Sequence, residues 1–331
     1  MRSSLATRLS GLAVLGLSLA CGTVTVRVPV MRPAEINMAA YRTVAIGQIS
    51  QHGYGGNSGQ LAGMVEQALF DSGRFDVLDR THMDQVMREL RLSASDLADS
   101  SKAAQLGKLV TAGALVYGEA DDRYTENTKE DKYQDKDKNN HITYTIRGEA
   151  LIRATFKITD VSTGKLLITK TYEERRSDQN SATDKRPEGL DKERMFQGAR
   201  QAIVERFMKA IAPHKEFANA NFQKDGDIPQ LEGGIGYAER GDWKKAQDTF
   251  QAAISAAENN AKIGSKTLAK AYFNLGLAFE YAGDYDKAQK MIEKASDLSN
   301  DPDYLHEIDN VRQLQADQKK LAEQAQPPPS N

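Results

Sequence analysis

Residues 142–158, ITYTIRGEALIRATFKI, place Ile142, Tyr144, Ile146, Ala150, Ile152, Ala154, Phe156 and Ile158 on even positions, with mostly Thr, Arg, Glu and Lys between them. A period of two held this long reads as an antiparallel strand with one buried and one wet face. Asp160-Val161-Ser162-Thr163-Gly164-Lys165 then forms a hairpin turn, glycine supplying the positive φ, and Leu166 to Tyr172 returns as the partner strand. A helix from about Leu190 to Ile211 follows, with Phe196, Ala199, Ile203 and Phe207 on one stripe.

Upstream, strands and helices alternate. Thr43-Val44-Ala45-Ile46 is a buried-strand run, and a glycine-rich turn (Gly53 to Gly59) leads into a helix whose apolar face carries Leu61, Met64, Val65, Ala68 and Leu69. Phe75 to Leu78 is a short strand, Thr81 opens a helix with Met83, Val86, Met87 and Leu90 on one face, and a third helix (Leu97 to Val110) leads into the strand Ala114-Leu115-Val116-Tyr117. Two segments interrupt this pattern, Asp121 to His141 and Glu173 to Glu188. The first carries twelve Asp, Glu, Lys or Arg among 21 residues, and both are nearly devoid of aliphatics, so both are expected as mobile loops. In an antiparallel meander they emerge at the same end of the sheet.

The N-terminus reads as a lipoprotein signal. Arg2 and Arg8 give a positive n-region and Leu9 to Ala20 a 12-residue apolar stretch. That is too short for the roughly 20 residues of a membrane-spanning helix. Leu17-Ser18-Leu19-Ala20-Cys21 resembles a lipobox, which implies cleavage after Ala20 and lipid attachment at Cys21, the chain's only cysteine. Gly22 is not aspartate, so the resemblance favours the outer membrane of a double-membrane bacterium, with the domains on the periplasmic side. Val24, Val26, Val28 and Val30 alternate with polar residues or proline, so residues 21–40 read as a tether with a first strand.

Cleavage would remove two of the 44 basic side chains and no acidic one, leaving 42 against 46 and a net charge of −4. No nucleic-acid partner is implied. A single cysteine also rules out an intrachain disulfide, so each core must hold by packing.

The last third is an internal repeat. Gly241-Asp242-Trp243, Ala246, Phe250 and Ala253 recur 42 residues later as Gly283-Asp284-Tyr285, Ala288, Ile292 and Ala295, with Tyr272, Leu275, Gly276 and Phe279 completing the second copy. These spacings are similar to the tetratricopeptide repeat, in which small residues let two antiparallel helices approach closely. Two copies cannot close a core alone. Support is expected from the terminal helix (Pro302 to about Ala325) or the helix ending at Ile211. Residues 227–325 thus read as two repeats with a terminal helix, and 326–331, with Pro327 to Pro329, as a disordered tail.

Thr43 to Ile46, Phe75 to Arg80, Leu115 to Glu119 and Val161 to Lys165 together resemble the curli-secretion lipoprotein (CsgG-like) family over residues 41–212. The resemblance implies an acylated protein with a three-layer α/β domain, a mixed, largely antiparallel sheet and flanking helices. The family's secretion channel is a ring to which each subunit adds two membrane-spanning hairpins, which would fall on the two polar segments. Those segments lack the alternation over about 9 to 11 residues that a lipid-facing barrel strand needs. The periplasmic fold is therefore expected, and the pore is not.

No catalytic or cofactor constellation is present. Gly53 to Gly59 does not match a dinucleotide fingerprint and has no P-loop lysine. Asp135, Asp137 and Asn139 begin like a calcium loop, but Asn140 replaces its glycine and Ile146 its bidentate glutamate. His52, His82, His141, His214 and His306 share no metal-ligand spacing, and Trp243 and Tyr285 sit at core positions of their repeats. The sequence points to a non-enzymatic adaptor in envelope assembly or secretion. It would need no cofactor, be held to the membrane by its lipid, bind a partner protein in the repeat groove and be capable of homo-oligomerisation. The alternative is an oligomeric secretion channel or channel accessory.

Overall fold

The computed structural model describes residues 22–54, 59–78, 88 and 113–325. Cys21 and the leader, the helices expected at Thr81 and at Leu97 to Val110, most of the glycine-rich turn and the tail at 326–331 lie outside the described residues. The elements of the N-terminal part are β1 (Gly22–Arg32), β2 (Thr43–Gly53), α1 (Gln60–Asp71), β3 (Asp76–Leu78), β4 (Ala114–Gln134), β5 (Asn140–Asp160), β6 (Leu166–Thr183) and α2 (Lys192–Ile211). Then come β7 (His214–Lys224), α3 (Gln230–Ala238), α4 (Trp243–Glu258), α5 (Ser265–Glu280), α6 (Tyr285–Ser299) and α7 (Pro302–Ala325). They form two compact units, residues 32–214 with 320–325 and residues 22–31 with 215–319. Among the described residues no helix is long and apolar enough to cross a membrane.

The α/β unit holds a five-stranded mixed sheet in the order β3-β2-β4-β5-β6. β2 runs parallel to β3 and β4, and β4, β5 and β6 form an antiparallel meander. The even residues of β5 from Ala150 to Ile158 are fully buried with Phe196 and Phe207 of α2 and Leu61, Val65 and Leu69 of α1. That burial follows from the period of two in β5 and the period of 3.6 in the helices. α2 is capped by Asp191, whose side chain accepts from the Arg194 amide. The carbonyl of Ala34 and its amide are both bonded to the buried amide side chain of Gln324, at 2.8 and 3.0 Å.

The polar segments are not loops. β4 pairs with β5 without interruption from Ala114↔Asp160 to Gln134↔Asn140, and β6 pairs with β5 as far as Thr183↔Thr143. Aliphatic content measures what a segment can bury, whereas a strand needs only a neighbouring backbone to bond with. β5 alternates down to Ile142, and its two neighbours follow it there.

In the helical unit, α3/α4 and α5/α6 are the two repeated hairpins. Asp242 and Asp284 each cap the following helix, accepting from Lys245 and Lys287 amides. A Cβ on Gly234 would lie 2.3 Å from the Phe250 ring, and one on Gly276 2.5 Å from Ile292 Cγ1, so glycine is required at both crossings. The two glycines and the two residues they meet are each 42 apart, which is the repeat expressed in packing. Tyr304, Ile308 and Val311 of α7 complete the core, as expected of the terminal helix. The other support was not foreseen. β1 pairs with β7 in a two-stranded ribbon, and Val26, Val28, Ala220 and Phe222 are buried in the repeat core. The start of the segment read as a tether is thus a structural strand of the helical unit, and α2 belongs instead to the α/β core.

Candidate functional site

Three places carry polar chemistry beyond what packing requires. The first is the arm made by residues 125–134, 140–149 and 177–183, where β4, β5 and β6 run on past the helices. Thr125 to Gln134 is exposed throughout, and the β5–β6 face is tied by Thr143–Thr183 and Thr145–Ser181 hydroxyl pairs at 3.1 and 2.9 Å and by Arg175–Glu149 at 3.0 Å. At the tip, Asp135 accepts from the amides of Asp137 and Asn139 and from the Asn139 side chain. His141 bridges the strands, Nδ1 lying 2.6 Å from Asp184 and Nε2 3.1 Å from Asp135. The Asp184 bond, then the Asp135 bond, raises the His141 pKa above its usual value, and the turn bonds hold Asp135 down at about 2. The oxygens that suggested a calcium loop are engaged in folding the turn.

At the root of the arm lies a buried polar cluster. The Asp122 carboxylate is fully buried, accepting from Gln51 Nε2 at 2.5 Å and lying 3.4 Å from Arg200 Nη2, while Arg200 Nη1 donates to Glu193 at 3.0 Å. Gly53 sits beside it at φ 103, where a Cβ would fall 1.9 Å from the Asp122 carbonyl oxygen. Tyr54, Tyr124 and Phe196 pack together with centroids 5.4 to 6.4 Å apart, and Lys192 Nζ lies 4.4 Å from the Tyr124 centroid. Burial, then its bond to Glu126, raises the Tyr124 pKa. Such a pair fixes how α2 sits against β4, since misplacing either charge leaves the other buried alone. Its signal was present in the sequence: Arg200 falls on the stripe of Phe196, Ala199 and Ile203, and Asp122 on an inward position of β4.

The third place is the face of α5 turned away from α4 and α6. Asn274, fully buried, accepts from the Gln223 amide at 2.8 Å and donates to its carbonyl at 2.7 Å, and Phe273 stacks on Tyr304 with centroids 4.5 Å apart. Residues 271–278 are buried without exception. The groove expected to receive a partner is filled by the chain's own β7 and α7. On α5, burial, reinforced by the neighbouring Glu307, pushes Glu280 up to about 10.

Comparison with family profiles matches residues 33–213 to the curli production assembly/transport component CsgG. The chain belongs to the CsgG family. Residues 234–301 of this CsgG-family chain match the tetratricopeptide repeat. A search of curated proteins found no match. Among solved structures, the LpoB C-terminal domain from Salmonella enterica is similar at 16% identity, covering 40% of this chain and 82% of that one, with a TM-score of 0.26. The PelC dodecamer from Paraburkholderia phytofirmans is similar at 13% identity over 56% of this chain and 98% of that one, TM-score 0.27. Lipoprotein GNA1162 from Neisseria meningitidis is similar at 12% identity over 50% and 96%, TM-score 0.27.

In this CsgG-family chain the mixed sheet, the flanking helices and the two repeats stand where the sequence put them. Cys21 lies outside the described residues, and the described chain begins at Gly22, directly after it. Trp243 and Tyr285 are half-buried against the repeat core, Trp243 meeting Tyr281 at 5.8 Å.

Proposed function

We propose that this protein is a non-enzymatic, lipid-anchored adaptor of the cell envelope. The leader is removed after Ala20, Cys21 carries the acyl chains, and the domains work on the periplasmic side of the outer membrane. The observation that carries the reading is the joining of a CsgG-family unit to a tetratricopeptide-repeat unit in one chain. Repeats of that kind serve protein recognition, and with the α5 face occupied, the partner is received on the exposed outer helices and on the arm. In-cell photocrosslinking from Thr128 on the arm and from Thr249 on α4 tests this. Capture of a discrete partner protein by the anchored chain is expected, and capture that is unchanged when Cys21 becomes serine would contradict an anchored adaptor.

A second reading, an oligomeric channel accessory, draws on the open edges of the arm. β6 and the distal half of β4 have no neighbour other than β5 among the described residues. Detergent-extracted protein that sediments as a monomer and gives no conductance in planar bilayers would remove it.

A further inference from the structure

The anchor and the fold are separated by almost no chain. β1 begins at Gly22, and from there the strand is held: Val26 and Val28 are buried in the repeat core, and Thr25 Oγ1 donates to Asn221 Oδ1 at 2.8 Å. A free tether over residues 21–40 would span up to about 70 Å, whereas one peptide step spans about 3.8 Å. Whatever surrounds Gly22 therefore meets the surface in which an acylated Cys21 is embedded. What surrounds it is an open cavity of about 330 Å³, lined by Gly22 and Thr23 of β1, Lys224 at the end of β7, Lys266 and Lys270 of α5, and Asp301 before α7. Lys270 also meets the buried Asp225 at 2.8 Å, and Lys224 comes within 3.8 Å of Glu232. Ammonium groups, a hydroxyl and one carboxylate around a single opening suit a phosphate with an amine beside it.

Resting on the lipidation of Cys21 proposed above, we infer that the helical unit lies directly on the membrane and that this cavity seats a phospholipid headgroup, the phosphate toward Lys224, Lys266 and Lys270 and the amine toward Asp301. The partner of this surface is the bilayer that holds the anchor.

The test uses the acylated full-length mature chain in vesicles of phosphatidylethanolamine with phosphatidylglycerol. A membrane-impermeant amine-acetylating reagent reads each lysine by mass spectrometry, and the unacylated Cys21→Ser chain in solution, with and without inorganic phosphate, gives the reference. Lys224, Lys266 and Lys270 should label about fivefold more slowly on vesicles, the scale of a lysine's attraction to a phospholipid surface. Lys244 and Lys287, exposed at the starts of α4 and α6 in the same unit and outside the cavity, should be unchanged. Protein that floats with the vesicles yet labels at all three lysines as fast as in solution overturns the seat and leaves the anchor standing. Equal protection by inorganic phosphate alone also overturns it, assigning the cavity to a free anion. A chain without acyl mass that fails to float overturns the anchor and the inference with it.

Discussion

Asn274→Leu removes the side chain that ties the β1–β7 ribbon into the repeat while keeping its volume nearly constant. Asn274 makes two bonds to the main chain of one residue, 2.8 Å from the Gln223 amide and 2.7 Å to its carbonyl, and is itself fully buried. Each such bond is worth about 1 kcal/mol net, and a main-chain group left unpaired away from water costs about 1 to 3 kcal/mol. The Gln223 groups are partly buried, so the lower part of that range applies and the sum is about 2 to 4 kcal/mol. At roughly 3 to 6 °C per kcal/mol for a unit of this size, between the small- and large-domain values, the helical transition should fall by roughly 6 to 24 °C. Far-UV circular dichroism of the Cys21→Ser mature chain measures it, with Asn259→Ala at the exposed end of α4 as a control expected within about 0.5 kcal/mol of the parent. An Asn274→Leu midpoint indistinguishable from that control would refute the argument that this amide holds β7 in the groove.

Arg200→Met strands the buried Asp122 carboxylate and should cost the α/β unit about 3 to 5 kcal/mol, most of it restored in Arg200→Met/Asp122→Leu. Urea midpoints check it, and a double variant as weak as the single one would sink the pairing. Glu280 has a folded pKa raised to about 10, so its contribution is complete below the usual carboxylate range and is lost as pH rises toward 10. The parent should therefore weaken steadily between pH 5 and 9 in denaturant titrations, and Glu280→Gln should flatten that slope; parallel slopes would refute it. For the arm tip, the His141 proton resonance should titrate above the ordinary midpoint of about 6.5 and fall back toward it in Asp184→Asn. The clasp it reports is complete below the ordinary histidine value and lost as pH rises through the raised one. On the acid side it is lost as Asp135 and Asp184, both held low, take up protons. No change of midpoint in Asp184→Asn would remove the bridge.

Where burial is paired with periodicity, the fold was readable. The even positions of β5 from Ala150 to Ile158, the stripe of α2 and the 42-residue repeat each mark a face that leaves water and is found buried, whereas Ile142, Tyr144 and Ile146 farther out are only half-buried. The outer strand of the arm escaped because nothing in it is buried: Thr125 to Gln134 is strand only because β5 offers an edge to pair with. The clue lay in the partner, since a strand alternating down to Ile142 must be flanked that far. The ribbon escaped for another reason. Pairing of β1 with β7 joins residues about 190 apart, and the valine alternation of β1 does not say which neighbour an edge will find. Thr25 and Asn221, bonded across that distance, are unremarkable polar residues in sequence. The occupied face of α5 follows from the same pairing, because it is β7 that fills it.

The anchor is the claim on which location and orientation both depend, and intact mass spectrometry of the protein purified from bacterial membranes tests it most directly. A chain beginning at Cys21 with the added mass of a diacylglyceryl group and an amide-linked acyl chain is expected, together with a Cys21→Ser form released from the membrane fraction. A chain cleaved elsewhere, an unmodified Cys21, or a serine variant that stays in the membrane would contradict it.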